Sequence, residues 1–134
     1  MEFEEEYKEE LTGKITEIYV ELCKQEGILF KGKRKMMEIY YEFGKKFEEK
    51  INTLLDDELD EEATVVSKII EEIMKNGISH NRKNIVRRSE KARKIYKIIS
   101  VEGGKEKIRK LKNLNSEDYM KFNFKEIEEW KKDR

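Results

Sequence analysis

Proline is absent from this chain of 134 residues, and segments in which apolar and polar residues alternate are nearly absent as well. Proline inside a helix removes a hydrogen bond and clashes with the preceding turn, so its absence leaves long helices uninterrupted. Strict alternation is the pattern of a half-buried β-strand, and its rarity argues against a sheet. Both absences favour an all-α protein.

Cysteine and histidine each occur once, as Cys23 and His80. A lone cysteine forms no internal disulfide, and a single histidine provides neither a zinc cluster nor, without a nucleophile turn nearby, a catalytic triad. The acidic turn at residues 56–62 lacks the glycine and the ligand spacing of a calcium loop. We therefore expect no enzymatic activity, no metal and no cofactor.

Long apolar runs are missing too, and the segment MEFEEEYKEE at residues 1–10 lacks the apolar centre of a secretory signal. A chain of this length supports one modest hydrophobic core. We expect a single helical domain over residues 1–134 that does not associate with membranes. The expected location is intracellular, either cytoplasmic or associated with the nucleoid.

Apolar residues recur at spacings of three and four, which is the pattern of helices that bury one face. The clearest stripe consists of Met36, Tyr40, Phe43, Phe47, Ile51 and Leu54. Gly44 borders this stripe and offers room for a neighbouring backbone. The main helices are predicted at Glu2–Gln25, Arg34–Leu55, Glu61–Lys75 and Asn84–Ser100, with short ones at Lys105–Leu114, Glu117–Phe122 and Phe124–Lys132. We predict a compact bundle of about four main helices plus short C-terminal helices.

Charge is segregated along the chain, although 30 basic and 30 acidic residues cancel overall. Residues 79–112 contain thirteen basic and three acidic side chains, a net charge of +10. Residues 1–78 carry −9 and residues 113–134 carry −1. Because cations that neutralise phosphates release condensed counterions, a basic segment of this kind indicates a nucleic-acid-binding protein, either a regulator or an accessory subunit of a nucleoprotein complex.

The fourth predicted helix has an apolar face and a cationic face. The apolar face consists of Ile85, Ser89, Ala92, Ile95, Tyr96 and Ile99. We predict that phosphates are bound by Arg82, Lys83, Arg87, Arg88, Lys91, Lys94, Lys97, Lys105, Arg109 and Lys110. Asn81 and Asn84 lie at the helix start and add polar contacts to bases or phosphates.

A smaller basic cluster, Lys31, Lys33, Arg34 and Lys35, stands at the start of the second predicted helix. Cations at a helix amino terminus oppose the helix dipole, so this cluster is either a second anion contact or a solvated loop. The helix, glycine turn and basic helix around Gly77 have the outline of a helix-turn-helix, although the helix length and apolar spacing match that motif weakly.

Other interpretations stay open. The cationic row also fits the solvated outer face of an ordinary helix, or a helix that docks on the acidic half of the same chain. The alternative function is a protein-interaction module, such as a small inhibitor or adaptor of viral or mobile-element origin. Such a module would use its basic half, or its acidic half as a mimic of nucleic acid, against a protein partner. The apolar stripes also permit a homo-oligomer.

Overall fold

A computed structural model describes residues 15–22, 33–57, 61–76, 81–111 and 115–133. These residues form helices and short connections, and no strand occurs among them, which confirms the all-α prediction. Residues 15–22 lie in a helix, α1. The other elements are α2 (Lys33–Asp57), α3 (Glu62–Lys75), α4 (Arg82–Glu102), α5 (Lys105–Ile108), a 3-10 helix (Ser116–Lys121) and α6 (Phe124–Lys132).

Several sequence predictions concern parts of the chain outside the described residues. They include most of the predicted helix Glu2–Gln25, the turn around Gly77, and the side chains of Cys23 and His80. The predicted helix Lys105–Leu114 is shorter in the structure, because α5 ends at Ile108 and a turn follows.

Asparagine side chains cap the amino-terminal ends of three helices. The side chain of Asn81 accepts a hydrogen bond from the backbone N–H of Lys83 at 2.7 Å and begins α4. At the start of α6 the side chain of Asn123 accepts a hydrogen bond from the backbone N–H of Glu126 at 2.8 Å, and its amide group donates to the Glu126 carboxylate at 2.6 Å, which is a side-chain variant of the capping box. The 3-10 helix is capped by the side chain of Asn115, which accepts a hydrogen bond from the backbone N–H of Glu117 at 3.1 Å.

The aromatic stripe of α2 lies inside the protein. Tyr40, Phe43, Phe47 and Ile51 are buried, whereas Met36 is only half-buried at the edge of the core. The rings of Tyr19 on α1 and Phe43 lie 5.7 Å apart, so α1 packs on the same stripe. The chain itself therefore covers most of this stripe.

Helix α4 is the central element, since α2, α3, α5, the 3-10 helix and α6 all contact it. The predicted apolar face is confirmed: Ile85, Ala92, Ile95 and Ile99 are fully buried. Burial then extends right around the helix, because residues 91–95 are all buried. The predicted division into one buried and one solvated face therefore fails in the middle of α4, where the C-terminal elements cover the cationic side.

Helices α2 and α4 approach each other closely at Gly44. A Cβ atom at this position would lie 2.1 Å from the carbonyl oxygen of Ala92 and 2.8 Å from Cβ of Tyr96. The first of these neighbours is backbone, which cannot move aside without shifting α4. The expectation that Gly44 admits a neighbouring backbone is therefore confirmed.

We predict that Gly44→Ala lowers the free energy of unfolding by about 2–3 kcal/mol, because the new methyl group overlaps the backbone of α4. This loss exceeds the roughly 1 kcal/mol that alanine contributes over glycine inside a helix. Urea unfolding followed by circular dichroism measures the change. Asn52→Ala, at an exposed position of the same helix, is the matched control and should be neutral or slightly stabilising. A Gly44→Ala protein as stable as wild type contradicts the close contact.

Candidate nucleic-acid interface

The structure divides the ten predicted phosphate-binding residues into three groups instead of one surface. Those at the start of α4 are exposed, namely Arg82, Lys83 and Arg87. Those in or near the middle of α4 are buried or half-buried, namely Arg88, Lys91, Lys94 and Lys97. Those at α5 and the turn after it are exposed again, namely Lys105, Arg109 and Lys110. The 21 residues of α4 rise about 30 Å, so the two exposed groups lie near opposite ends of this helix.

Lys91 and Lys94 are the clearest corrections to the sequence analysis. Only 3% of Lys91 and 4% of Lys94 is exposed, although the sequence predicts both as phosphate contacts on the cationic face. The 3-10 helix and α6 pack against α4 and cover these side chains. Neither residue is available to a phosphate while this packing persists.

Carboxylates from the C-terminal elements neutralise Lys91 and Lys97, whereas Lys94 pairs with Glu90 on α4 itself at 3.2 Å. Glu117 accepts hydrogen bonds from Lys91 and, at 2.7 Å, from Arg87. Glu128 on α6 accepts from Lys97 at 2.8 Å. The hydrogen bond from Lys91 is the main cause that lowers the pKa of Glu117, and the hydrogen bond from Lys97 does the same for the pKa of Glu128. This part of the positive charge is therefore satisfied inside the fold.

Arg93 joins α2, α3 and α6 to the central helix. Its guanidinium donates to Glu48 at 2.7 Å and to Glu62 at 2.5 Å. The same group lies 4.4 Å from the ring centroid of Phe124, close enough for a cation–π contact. Lys94 and Lys97 approach that ring at 5.2 and 5.8 Å. Arg93 is not among the predicted phosphate contacts, and the structure makes it a junction between four helices.

Arg88 also has a structural role. Its guanidinium donates to the hydroxyl of Tyr19 at 3.0 Å and lies 5.8 Å from the centroid of the same ring. These contacts tie α4 to α1, and Arg88 is half-buried as a result. Its predicted role as a phosphate contact finds no support in this geometry.

The first two turns of α4, residues 81–87, present an exposed polar surface that we call the amino-terminal surface of α4. Asn81, Arg82, Lys83, Asn84 and Arg87 are all exposed on it. Arg82 donates to Ser67 at 2.7 Å, and Arg87 shares Glu117 with Lys91. The side chains of Lys83 and Asn84 make no hydrogen bond or ion pair with the described part of the chain.

A second exposed basic region forms where α5 meets the start of α2. Arg34 donates to the carbonyl oxygens of Ile108 and Arg109 at 2.7 and 2.8 Å. Arg34, one of the basic residues at the start of α2, therefore lies beside Arg109, a residue 75 positions away. Sequence periodicity carried no sign of this meeting. Arg34 itself has a structural role, because its hydrogen bonds to carbonyl oxygens at the end of α5 join α2 to α5.

Comparison with known proteins assigns no relative. No family model, no curated protein and no solved structure matches this chain. Within the described ranges, no helix is long and apolar enough to cross a membrane, and no group of acidic, histidine or cysteine side chains is arranged to hold a metal ion.

We predict that Glu117→Ala lowers the free energy of unfolding by about 1–3 kcal/mol, because Lys91 would remain buried without its carboxylate partner. Glu106→Ala is the matched control, since it removes a carboxylate from the exposed pair with Arg109. Exposed pairs contribute about 0–1 kcal/mol, so this control should stay near wild type. Chemical denaturation of both variants makes the comparison, and equal losses contradict a structural role for Glu117.

Acid should destabilise the protein partly through Glu117 and Glu128. Their pKa values are lowered in the folded protein, so the stabilisation they provide is complete above the ordinary value of 4.5 and is lost as the pH falls through the folded pKa values. We predict that the double variant Glu117→Gln, Glu128→Gln loses less stability than wild type between neutral pH and a pH below 4.5. Urea unfolding at the two pH values measures the loss of stability in each protein. If the double variant loses as much as wild type, Glu117 and Glu128 do not cause the acid sensitivity.

Proposed function

We propose that this protein binds nucleic acid through the amino-terminal surface of α4. The observation that supports the proposal is the exposure of three cations and two asparagines on the first two turns of one helix. The positive end of the helix dipole lies at the same place and favours an anion. Helices that enter the major groove commonly contact bases with their amino-terminal residues, which supports the choice of this end of α4.

The residues of this surface have different chemical roles in the proposal. Lys83 provides a flexible point charge, which suits a phosphate and carries little base information. Arg82 and Arg87 have planar guanidinium groups, and Asn84 has an amide, which suit bidentate contacts to base edges. Val86, which is also exposed, offers an apolar contact such as the methyl group of thymine accepts.

The ion pair between Arg87 and Glu117 does not prevent this role. Both side chains are about half exposed, and such pairs contribute only about 0–1 kcal/mol. A phosphate or a base edge can therefore replace Glu117 as the partner of Arg87 at small cost. Lys91 retains Glu117 in that exchange, so the packing of the 3-10 helix on α4 is preserved.

The region at α5 is the secondary contact in this proposal. Lys105 already pairs with Glu42, and Arg109 pairs with Glu106, so part of its charge is neutralised locally. Lys110 is exposed and adds a cation at this end of the molecule. We propose that Lys110 contacts a phosphate, a contact that does not distinguish one base sequence from another.

We predict that Lys83→Gln weakens binding to all sequences alike and flattens the dependence of log K on log salt by about 0.9 if the nucleic acid is duplex DNA. Fluorescence anisotropy with labelled double-stranded and single-stranded DNA and RNA, at several salt concentrations, measures both effects. Lys125→Gln removes the same charge from an exposed position on α6 and should change neither quantity.

The buried lysines provide a second comparison in the same assay. Lys94→Gln should lower the melting temperature while the folded variant binds with the affinity and salt dependence of wild type, because Lys94 lies inside the packed region. If Lys83→Gln binds as wild type while Lys110→Gln is weakened, the surface is wrongly assigned. If wild type binds no nucleic acid even at low salt, the proposed function itself is wrong.

A further inference from the structure

A groove opens between the C-terminal half of α4, the 3-10 helix and α6. Its volume is about 620 Å³, and its apolar surface includes Ile98, Ile127, Trp130 and Phe122. Phe122 is 47% exposed, more than the other exposed large apolar side chains in the described part of the chain. An aromatic ring left open beside an apolar concavity is typical of a site that a partner covers.

Acidic side chains surround this apolar surface. Glu102, Asp118 and Glu126 line the groove together with a single cation, Lys121, which pairs with Asp118 at 3.2 Å. Glu102 and Asp118 come from different elements yet act on the same phenol: burial raises the pKa of Tyr119 first, and these two carboxylates raise it further. The groove therefore combines an apolar centre with a negative rim, which is the reverse of the amino-terminal surface of α4.

We infer that this groove binds a short basic amphipathic helix of a partner protein. In such helix-in-groove complexes, apolar side chains at helical spacing enter the groove while the polar face remains outside. Lysine or arginine residues beside the apolar anchors would face Glu102, Asp118 and Glu126. Nucleic acid and acidic segments are disfavoured here, because the rim would repel them.

This binding site is separate from the proposed nucleic-acid surface. Glu102 ends α4, whereas Lys83 lies in its first turn, so these two residues are separated by most of the roughly 30 Å rise of the helix. The 3-10 helix reaches both sites, since its Glu117 pairs with Arg87 and its Asp118 lines the groove, but no residue of the amino-terminal surface lines the groove. A partner in the groove leaves the amino-terminal surface of α4 open. The inference does not depend on nucleic-acid binding, and each can fail alone.

Trp130 provides a direct test, because it is the only tryptophan in the chain and it lines the groove. The probe is a synthetic amphipathic peptide of roughly 14 residues, about four helical turns, with leucine on one face and lysine on the other. Titration of this peptide should shift the emission of Trp130 and saturate. The same peptide with glutamate in place of every lysine should bind at least about tenfold more weakly, because the rim repels it.

Three variants locate the contact. Phe122→Ala removes the exposed anchor, and Glu102→Gln removes a rim charge; each should weaken binding of the lysine peptide by about three- to tenfold. Glu129→Gln is the control, because Glu129 is exposed on α6 but does not line the groove. All three residues are exposed, and circular dichroism checks that each variant is folded.

Three outcomes overturn the inference. Equal binding of the lysine and glutamate peptides shows attraction to any apolar helix. Binding that leaves the emission of Trp130 unchanged places the peptide elsewhere. Absence of binding, together with concentration-dependent sedimentation that Phe122→Ala abolishes, shows that a second copy of the chain covers the groove. In all three cases the anisotropy assay with nucleic acid remains independent, because it uses Lys83 and no peptide.

Discussion

The close approach of α2 and α4 at Gly44 and Ala92 is the contact on which the other interactions depend. It brings the aromatic stripe of α2 against the apolar face of α4, and it places Glu48 of α2 within reach of Arg93. Only glycine allows this separation, since any side chain would meet the backbone of α4. The ion pairs between α2 and α4 therefore depend on the absence of a side chain at Gly44 of α2.

Burial of charge is the second constraint, and it explains where the acidic residues lie. A cation removed from water needs a partner, because an unpaired buried charge costs several kcal/mol. Arg93, Lys91 and Lys97 find their carboxylates on α2, α3, the 3-10 helix and α6, segments that are distant in sequence. Much of the charge segregation seen along the chain is thus cancelled when the chain folds. The positive charge that remains exposed on α4 is concentrated in its first two turns.

Two surfaces of opposite character follow from this arrangement. The start of α4 is basic and polar, and the groove along its C-terminal half is apolar with an acidic rim. Our proposals give each surface the partner that its chemistry favours, a nucleic acid for the first and a basic helix for the second. Together they describe an adaptor that joins the two, which unites the binding functions that the composition suggested separately.

The amino-acid sequence by itself determined the helices, because apolar spacing and capping residues act within a few positions. The stripe on α2 and the apolar face of α4 appear as predicted, and the side chains of Asn81 and Asn123 cap two helix starts. It also indicated the tight contact at Gly44. Only the tertiary structure decided which cations are exposed. Periodicity identifies the apolar face of α4, but it does not show that residues 116–132 fold back onto the opposite face and bury Lys91 and Lys94. The contact between Arg34 and α5 is also between residues distant in sequence. Every residue has a backbone carbonyl, so the sequence does not show which carbonyls Arg34 will bind.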